Sequence, residues 1–332
     1  MGRYSRLREI RRMDPARDYA EILRLISQYE FPWDYRQGVS VAFLRDYGVP
    51  RISVLLDRTQ EFERAGQKRY DDTVLIGYEM AADGFDSERA RAAARHLNRI
   101  HGKYRIPNDD FRYVLATTVV GPKRWIDRFG WRPLCEQEIQ ALVEAGRKTA
   151  AMMGIEGAPE TYEGFERLLD SYEERMFAYD PANRRVANAT FRVMASWYPR
   201  PLRPLVARFS LALLDEPLLT ALGFRPQPRW AQASASAALR LRARCVRRLP
   251  ARPRRFPSRP QPRSYPFGWR LDDLGPHWAR SRPLEPLPGE AEPSAGPRRA
   301  EPEVSPIPPR AAEPDSGGRT PAPGCRRPAR NS

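Results

Sequence analysis

The sequence predicts an all-α protein, a single multi-helix globin-like bundle domain followed by a disordered Pro/Arg-rich C-terminal tail. Three observations lead there. Apolar residues recur at three- and four-residue spacing in long stretches, as in Glu136 to Met153, where Ile139, Leu142, Val143, Met152 and Met153 share a side. No stretch alternates apolar and polar residues over the length of a strand. Helix start and stop signals punctuate the first 225 residues, whereas 20 of the 34 prolines fall after residue 230.

Taken in order, Asp14 and Pro15 form a helix start, a capping residue followed by proline at the first helical position, and Ile22, Leu23, Leu25 and Ile26 supply the stripe behind it. Pro32 disfavours helix at Phe31, so the segment 30–35 is expected to interrupt. Two helices are expected over 37–47 and 51–64, divided by Val49 and Pro50. Asp71 and Asp72 can cap a further helix carrying Val74, Leu75 and Tyr78, which Gly84 ends. Asp86 and Ser87 offer the next cap. Asn108, Asp109 and Asp110 can cap another, with Phe111, Val114, Leu115, Thr118 and Val119 inward, and Gly121 with Pro122 should break it. Trp125, Phe129 and Trp131 read as a core-packing aromatic cluster. Thr161 starts a helix bearing Phe165, Leu168, Leu169, Tyr172 and Met176. Others follow over 183–197 and 202–214, with a short last one from Asp215 to Gly223. The stretch 236–249 reads as a short basic helix with little apolar surface.

Charge divides the chain. The 57 Lys and Arg against 41 Asp and Glu make a net charge of +16. Residues 231–332 hold 20 of those cations and only 9 of the anions. The basic excess therefore says little about the folded part, and the expected division is a basic extension at 1–13, a catalytic domain at 14–278 with its core at 14–225, and a disordered tail at 279–332. Three cysteines without paired spacing indicate neither a zinc site nor a disulfide framework. No apolar run approaches a membrane span, and the N-terminus, MGRYSRLREIRRM, lacks the apolar centre of a secretory signal. The expectation is a soluble cytoplasmic protein with no transmembrane association.

The densest chemistry lies in residues 67–113. Ala90, Ala93, Ala94, Leu97, Ile100 and His101 fall on one helical stripe, so His101 is expected to point inward. A histidine there is either a core imidazole with both nitrogens satisfied or an axial ligand to iron, with the alanines leaving a shallow face for a flat ring. Spacing leaves both open. His96 stands five residues earlier, about 140 degrees round the helix, and is expected to lie off that face and be exposed. With three histidines in the chain, a two-histidine or dinuclear centre has little to be built from.

The ordered run FLRDYGVPRISVLL, QKRYDDT, NRIHGKYRIPNDDFRYVL and GWRPL, with SYPFGWRLDDLGP at 264–276, resembles the family of the fungal mycophenolate-pathway oxygenase and the latex-clearing rubber oxygenase catalytic domain. The resemblance implies haem b as cofactor, His101 as the iron ligand, and Arg69 with Thr73 as the Arg-x-x-x-Thr pair that precedes it. Those two can present a cation and a hydroxyl on one face, to a haem propionate or to oxygen. Asn108, Asp109 and Tyr113 become candidates to orient the histidine. As partners it implies dioxygen and a small apolar organic substrate, alkyl or isoprenoid, and it leaves room for an electron donor. One departure stands out: the rubber enzymes carry a lysine just before the threonine, and here Asp72 occupies that place. Their polymer-cleaving chemistry is not expected to carry over.

A reading from a different class is a nucleic-acid or acidic-surface binding protein working through Arg240 to Arg263. No specific nucleic-acid recognition is expected, because few aromatics interleave there. Nothing resembles a Walker loop, a dinucleotide fingerprint or a nucleophile triad.

Overall fold

Proline sets where several helices begin: Pro15, Pro32, Pro50 and Pro181 each occupy a first helical position, where the missing N–H costs nothing. The computed structural model describes residues 2–279. Among these, thirteen α-helices and no strand occur: α1 (Ser5–Ile10), α2 (Pro15–Leu25), α3 (Pro32–Asp46), α4 (Pro50–Thr59), α5 (Glu61–Ala81), α6 (Glu88–His101), α7 (Asn108–Phe129), α8 (Glu136–Met153), α9 (Tyr162–Met176), α10 (Pro181–Ser196), α11 (Arg203–Ala212), α12 (Glu216–Ala221) and α13 (Arg229–Arg248). The all-α reading holds. No described helix is long and apolar enough to cross a membrane. The expected tail lies, but for Ala279, outside the described residues.

Two groups of helices make the bundle. In the first, α7 packs on α3, α8 and α9, and α2 runs along α8. In the second, α10 packs on α4 and α5, and α5 on α6. Helix α6 joins the groups by also touching α8. The main apolar core gathers Ile22, Leu25, Leu75, Ala93, Tyr113 and Phe165, all essentially without solvent contact. A second cluster around Leu44, Phe191 and Leu218 seals α10 and α12 on α3. Burying each such side chain contributes on the order of 1.5–3 kcal/mol.

Several boundaries differ from expectation for physical reasons. Helix α3 starts at Pro32 rather than residue 37, since the proline that interrupts the preceding segment also opens the next helix. Helix α4 stops at Thr59, where Gln60 takes a left-handed φ of 55°. Asp71 and Asp72 cap nothing. They sit buried inside α5, which begins at Glu61 and kinks at Ala65. Helix α7 runs straight through Gly121 and Pro122. A Cβ on Gly38 would lie 2.5 Å from Pro122 Cα, and one on Gly121 3.0 Å from Ala42 Cβ. The two backbones touch at that crossing, and the packing offsets the hydrogen bond proline forgoes.

The ends of the domain are also structured. The expected N-terminal extension contains α1, which buries Ile10 and pairs buried Arg6 with Glu30 at 3.1 Å. Helix α13 is 20 residues long, not a short segment, and docks through Ala235, Leu239 and Ala243 with Leu239 in the cluster of Trp125 and Phe129. Residues 264–279 then strap across α5 and α6. Ser264 N–H donates to Asp71 at 2.8 Å, Tyr265 O–H to Asp72, and Trp269 Nε1–H to Glu79 at 2.9 Å.

Candidate functional site

Helix α6 starts where Ser87 Oγ accepts the N–H of Ala90 and ends in His101. Its alanine stripe is fully packed, with Ala90, Ala93 and Ala94 within 3% of complete burial. The small residues let α6 approach α5 and α8 closely, so they do not form the open face expected for a flat ring. His101 lies past that stripe, at the end of the helix. Its ring centroid is 5.3 Å from Phe111 on α7, in a tilted arrangement. Helix α7 does not pack extensively on α5 or α6. His101 therefore stands where the two helix groups diverge.

The imidazole is half-buried as a whole, yet Nδ1 is enclosed and has no hydrogen-bond partner among the described residues. Burial first, and the nearby Arg69 cation second, push its pKa down from 6.5 to about 4. The ring is neutral at physiological pH and has a lone pair to give. An enclosed polar atom left unpaired costs about 1–3 kcal/mol, and here it leaves the imidazole with bonding capacity unused.

Arg69 and Thr73 face this region from α5, one helical turn apart. The Arg69 guanidinium donates to Thr73 Oγ1, and Thr73 donates to the Arg69 carbonyl at 2.9 Å. The Arg69 cation also lies 5.4 Å from the centroid of Phe62. The guanidinium is near enough to His101 for its charge to act on the ring. Lys68 and Asp72 occupy the neighbouring face of α5 and are turned elsewhere. They pair at 2.6 Å, both buried, Lys68 reaching on to Gly275 O at 2.9 Å. Asp72, standing where the rubber enzymes have lysine, is thus part of the strap contact.

His96 is the clearest correction: it is buried, not exposed. Its Nε2–H donates to Leu274 O at 2.9 Å, and its Nδ1 accepts from Arg99 at 2.8 Å. Asn108, Asp109 and Tyr113 are engaged away from His101, and Asn108, Asp109 and Asp110 do not cap α7, whose cap position is Pro107. Asn108 exchanges hydrogen bonds with the backbone of Glu156, Asp109 pairs with Arg112, and Tyr113 O–H donates to Glu173 at 3.1 Å.

A polar constellation on α3, α4, α7 and α9 was not expected. Arg51 clasps Asp110 at 2.7–2.9 Å and donates to Tyr172 O–H, which itself donates to Asp110. Arg45 grips Glu173, and the rings of Tyr113 and Tyr172 stack at 4.5 Å. Burial raises Asp46, hydrogen-bonded with Thr117, well above the usual carboxylate range. Two of the stretches that carry the resemblance, FLRDYGVPRISVLL and the NDDFRYVL end of another, contribute to it. Their shared motif status was the available signal.

Among the described residues no three His, Cys, Asp or Glu side chains converge to hold an ion. A metal at His101 would have to bring its other ligands with it, as a porphyrin does, and a neutral, unpartnered imidazole fits such a group as a single axial donor.

The family described as ER-bound oxygenase mpaB/B'/rubber oxygenase, catalytic domain, matches residues 43–248. The ER-bound oxygenase mpaB' of Penicillium brevicompactum is 30% identical over 234 residues, 65% of this chain and 55% of the relative. The ER-bound oxygenase mpaB of the same organism is 29% identical over 226 residues, covering 62% and 58%. That of Penicillium roqueforti is 28% identical over 220 residues, covering 61% and 74%. The chain thus spans a little over half the length of the first two.

Proposed function

We propose that this chain, which belongs to the mpaB and rubber oxygenase catalytic-domain family, is a haem b-dependent oxygenase acting with dioxygen on an apolar alkyl or isoprenoid substrate. The observation that carries the reading is the enclosed, unpartnered Nδ1 on an imidazole kept neutral down to about pH 4. When bound, haem supplies the activation of dioxygen that no amino-acid side chain can provide.

The chain's own residues bind and orient. His101 would hold the haem iron through its ring lone pair. Arg69 offers a cation to a porphyrin carboxylate or to oxygen, and its hold on Thr73 fixes both groups against the ring of Phe62. Thr73 Oγ1 accepts from the Arg69 guanidinium and gives its proton to the Arg69 carbonyl, so both of its hydrogen bonds stay within the pair. Phe62 and Phe111 supply apolar walls on the Arg69 and His101 sides, which exclude water and suit a hydrocarbon substrate. Asp72 is committed to Lys68 and Tyr265, so this chain has no cation in the place of the rubber-enzyme lysine, and polymer cleavage is not part of the proposal.

Expression with ample haem precursor tests the reading. The purified protein is expected to carry a Soret band and to consume dioxygen when supplied with a short isoprenoid or unsaturated alkyl chain. A colourless protein that remains folded and takes up no haem would overturn it.

A further inference from the structure

Away from His101, two adjoining hollows open on one face. The larger, about 780 Å³, is lined by Arg24, Arg89, Arg254, Arg255 and Arg259, with Asp83 the one carboxylate in its wall. The smaller, about 410 Å³, shares Arg89 and Trp269 with it. Three of the arginines are held by neighbouring carboxylates: Arg24 by Glu21, Arg89 by Glu79 and Asp83, and Arg254 by Glu9. Arg255 and Arg259 have no carboxylate partner among the described residues, and Arg255 lies over the ring of Phe256 at 4.9 Å. The local balance favours an anion.

The rim is apolar in a way a soluble surface has no use for. Phe256, between two residues of the larger wall, is 55% exposed, and Phe267, beside Gly268 of the smaller, is 81% exposed. Phenylalanine has no polar tip to place in water. A hollow with two arginines that have no carboxylate partner among the described residues, flanked by exposed aromatic rings, matches the interface of a bilayer, where phosphates lie just outside the level at which aromatic rings insert.

We propose that this face docks on an anionic phospholipid surface, with a headgroup phosphate in the arginine-lined hollow and Phe256 and Phe267 in the interfacial layer. A nucleic acid is the weaker fit. The site is a hollow rather than a track for a strand, and a phosphate chain gains nothing from two outward phenylalanines.

Flotation of the full chain with phosphatidylcholine vesicles, with and without phosphatidylglycerol, tests this. The protein is expected to float with the anionic vesicles only. The partition coefficient should fall about tenfold or more in Arg255→Glu/Arg259→Glu and in Phe256→Ser/Phe267→Ser. All four side chains are exposed, so the variants keep the fold, which circular dichroism checks. Failure of the wild type to float, or equal flotation of the phenylalanine variant, overturns the proposal. So does retention on duplex DNA that needs the arginines and not the phenylalanines. No outcome depends on haem content.

Discussion

Helix α6 holds two histidines five residues apart whose surroundings are opposite in kind. His96 is buried and both its nitrogens are paired, one of them to a carbonyl of the strap that crosses α5 and α6. His101 keeps more exposed surface, yet its Nδ1 is enclosed and unpaired. Burial alone therefore does not tell the two imidazoles apart. Satisfaction of their nitrogens does: one histidine holds two segments together, and the other has bonding capacity left over among the described residues.

The strap side of the comparison is the place for the largest loss of stability. Asp72→Lys, which installs the rubber-enzyme residue, sets a second cation beside Lys68 in a pocket built for a pair. A loss of about 3–5 kcal/mol in a denaturant melt is expected, with no gain of polymer cleavage. If the variant is as stable as wild type, the Lys68 and Asp72 contact is not the anchor described here. His96→Leu comes next. It leaves the buried Leu274 carbonyl unpaired and should cost about 1–3 kcal/mol. A neutral result would place His96 on the other side of the comparison.

Two smaller effects sharpen the His101 side. Its folded pKa, about 4, lies below the unfolded value of 6.5, so the unfolded chain binds the extra proton first as pH falls. The corresponding stability is complete above pH 6.5 and is lost as pH drops towards 4. His101→Leu should flatten this part of the stability profile, and an unchanged slope would contradict the assignment. Arg69→Gln removes the lesser of the two causes. The His101 pKa should rise towards 6.5 while staying below it, as read from the imidazole carbon-bound proton shifts by NMR.

What was legible in the sequence was local. Asp14 with Pro15, Ser87 and Thr161 announce their helices because a cap needs only residues two or three places on. The inward direction of His101 follows from the same periodicity. What was missed depends on distant partners. Asp71 and Asp72 look like caps until Ser264 and Tyr265 meet them, 193 residues away in each case. His96 looks exposed until Leu274 arrives from 178 residues on. Gly121 and Pro122 read as a break because nothing local shows Gly38 and Ala42 pressed against them.

The central claim is that spare bonding capacity at one imidazole holds the cofactor, and the haem-to-protein ratio of His101→Leu beside His96→Leu tests it most directly. The account predicts a stable, haem-free His101→Leu, since no hydrogen bond is lost there, and a destabilised His96→Leu that still takes up haem while folded. Haem retained in His101→Leu, or lost only in a fully folded His96→Leu, would contradict it.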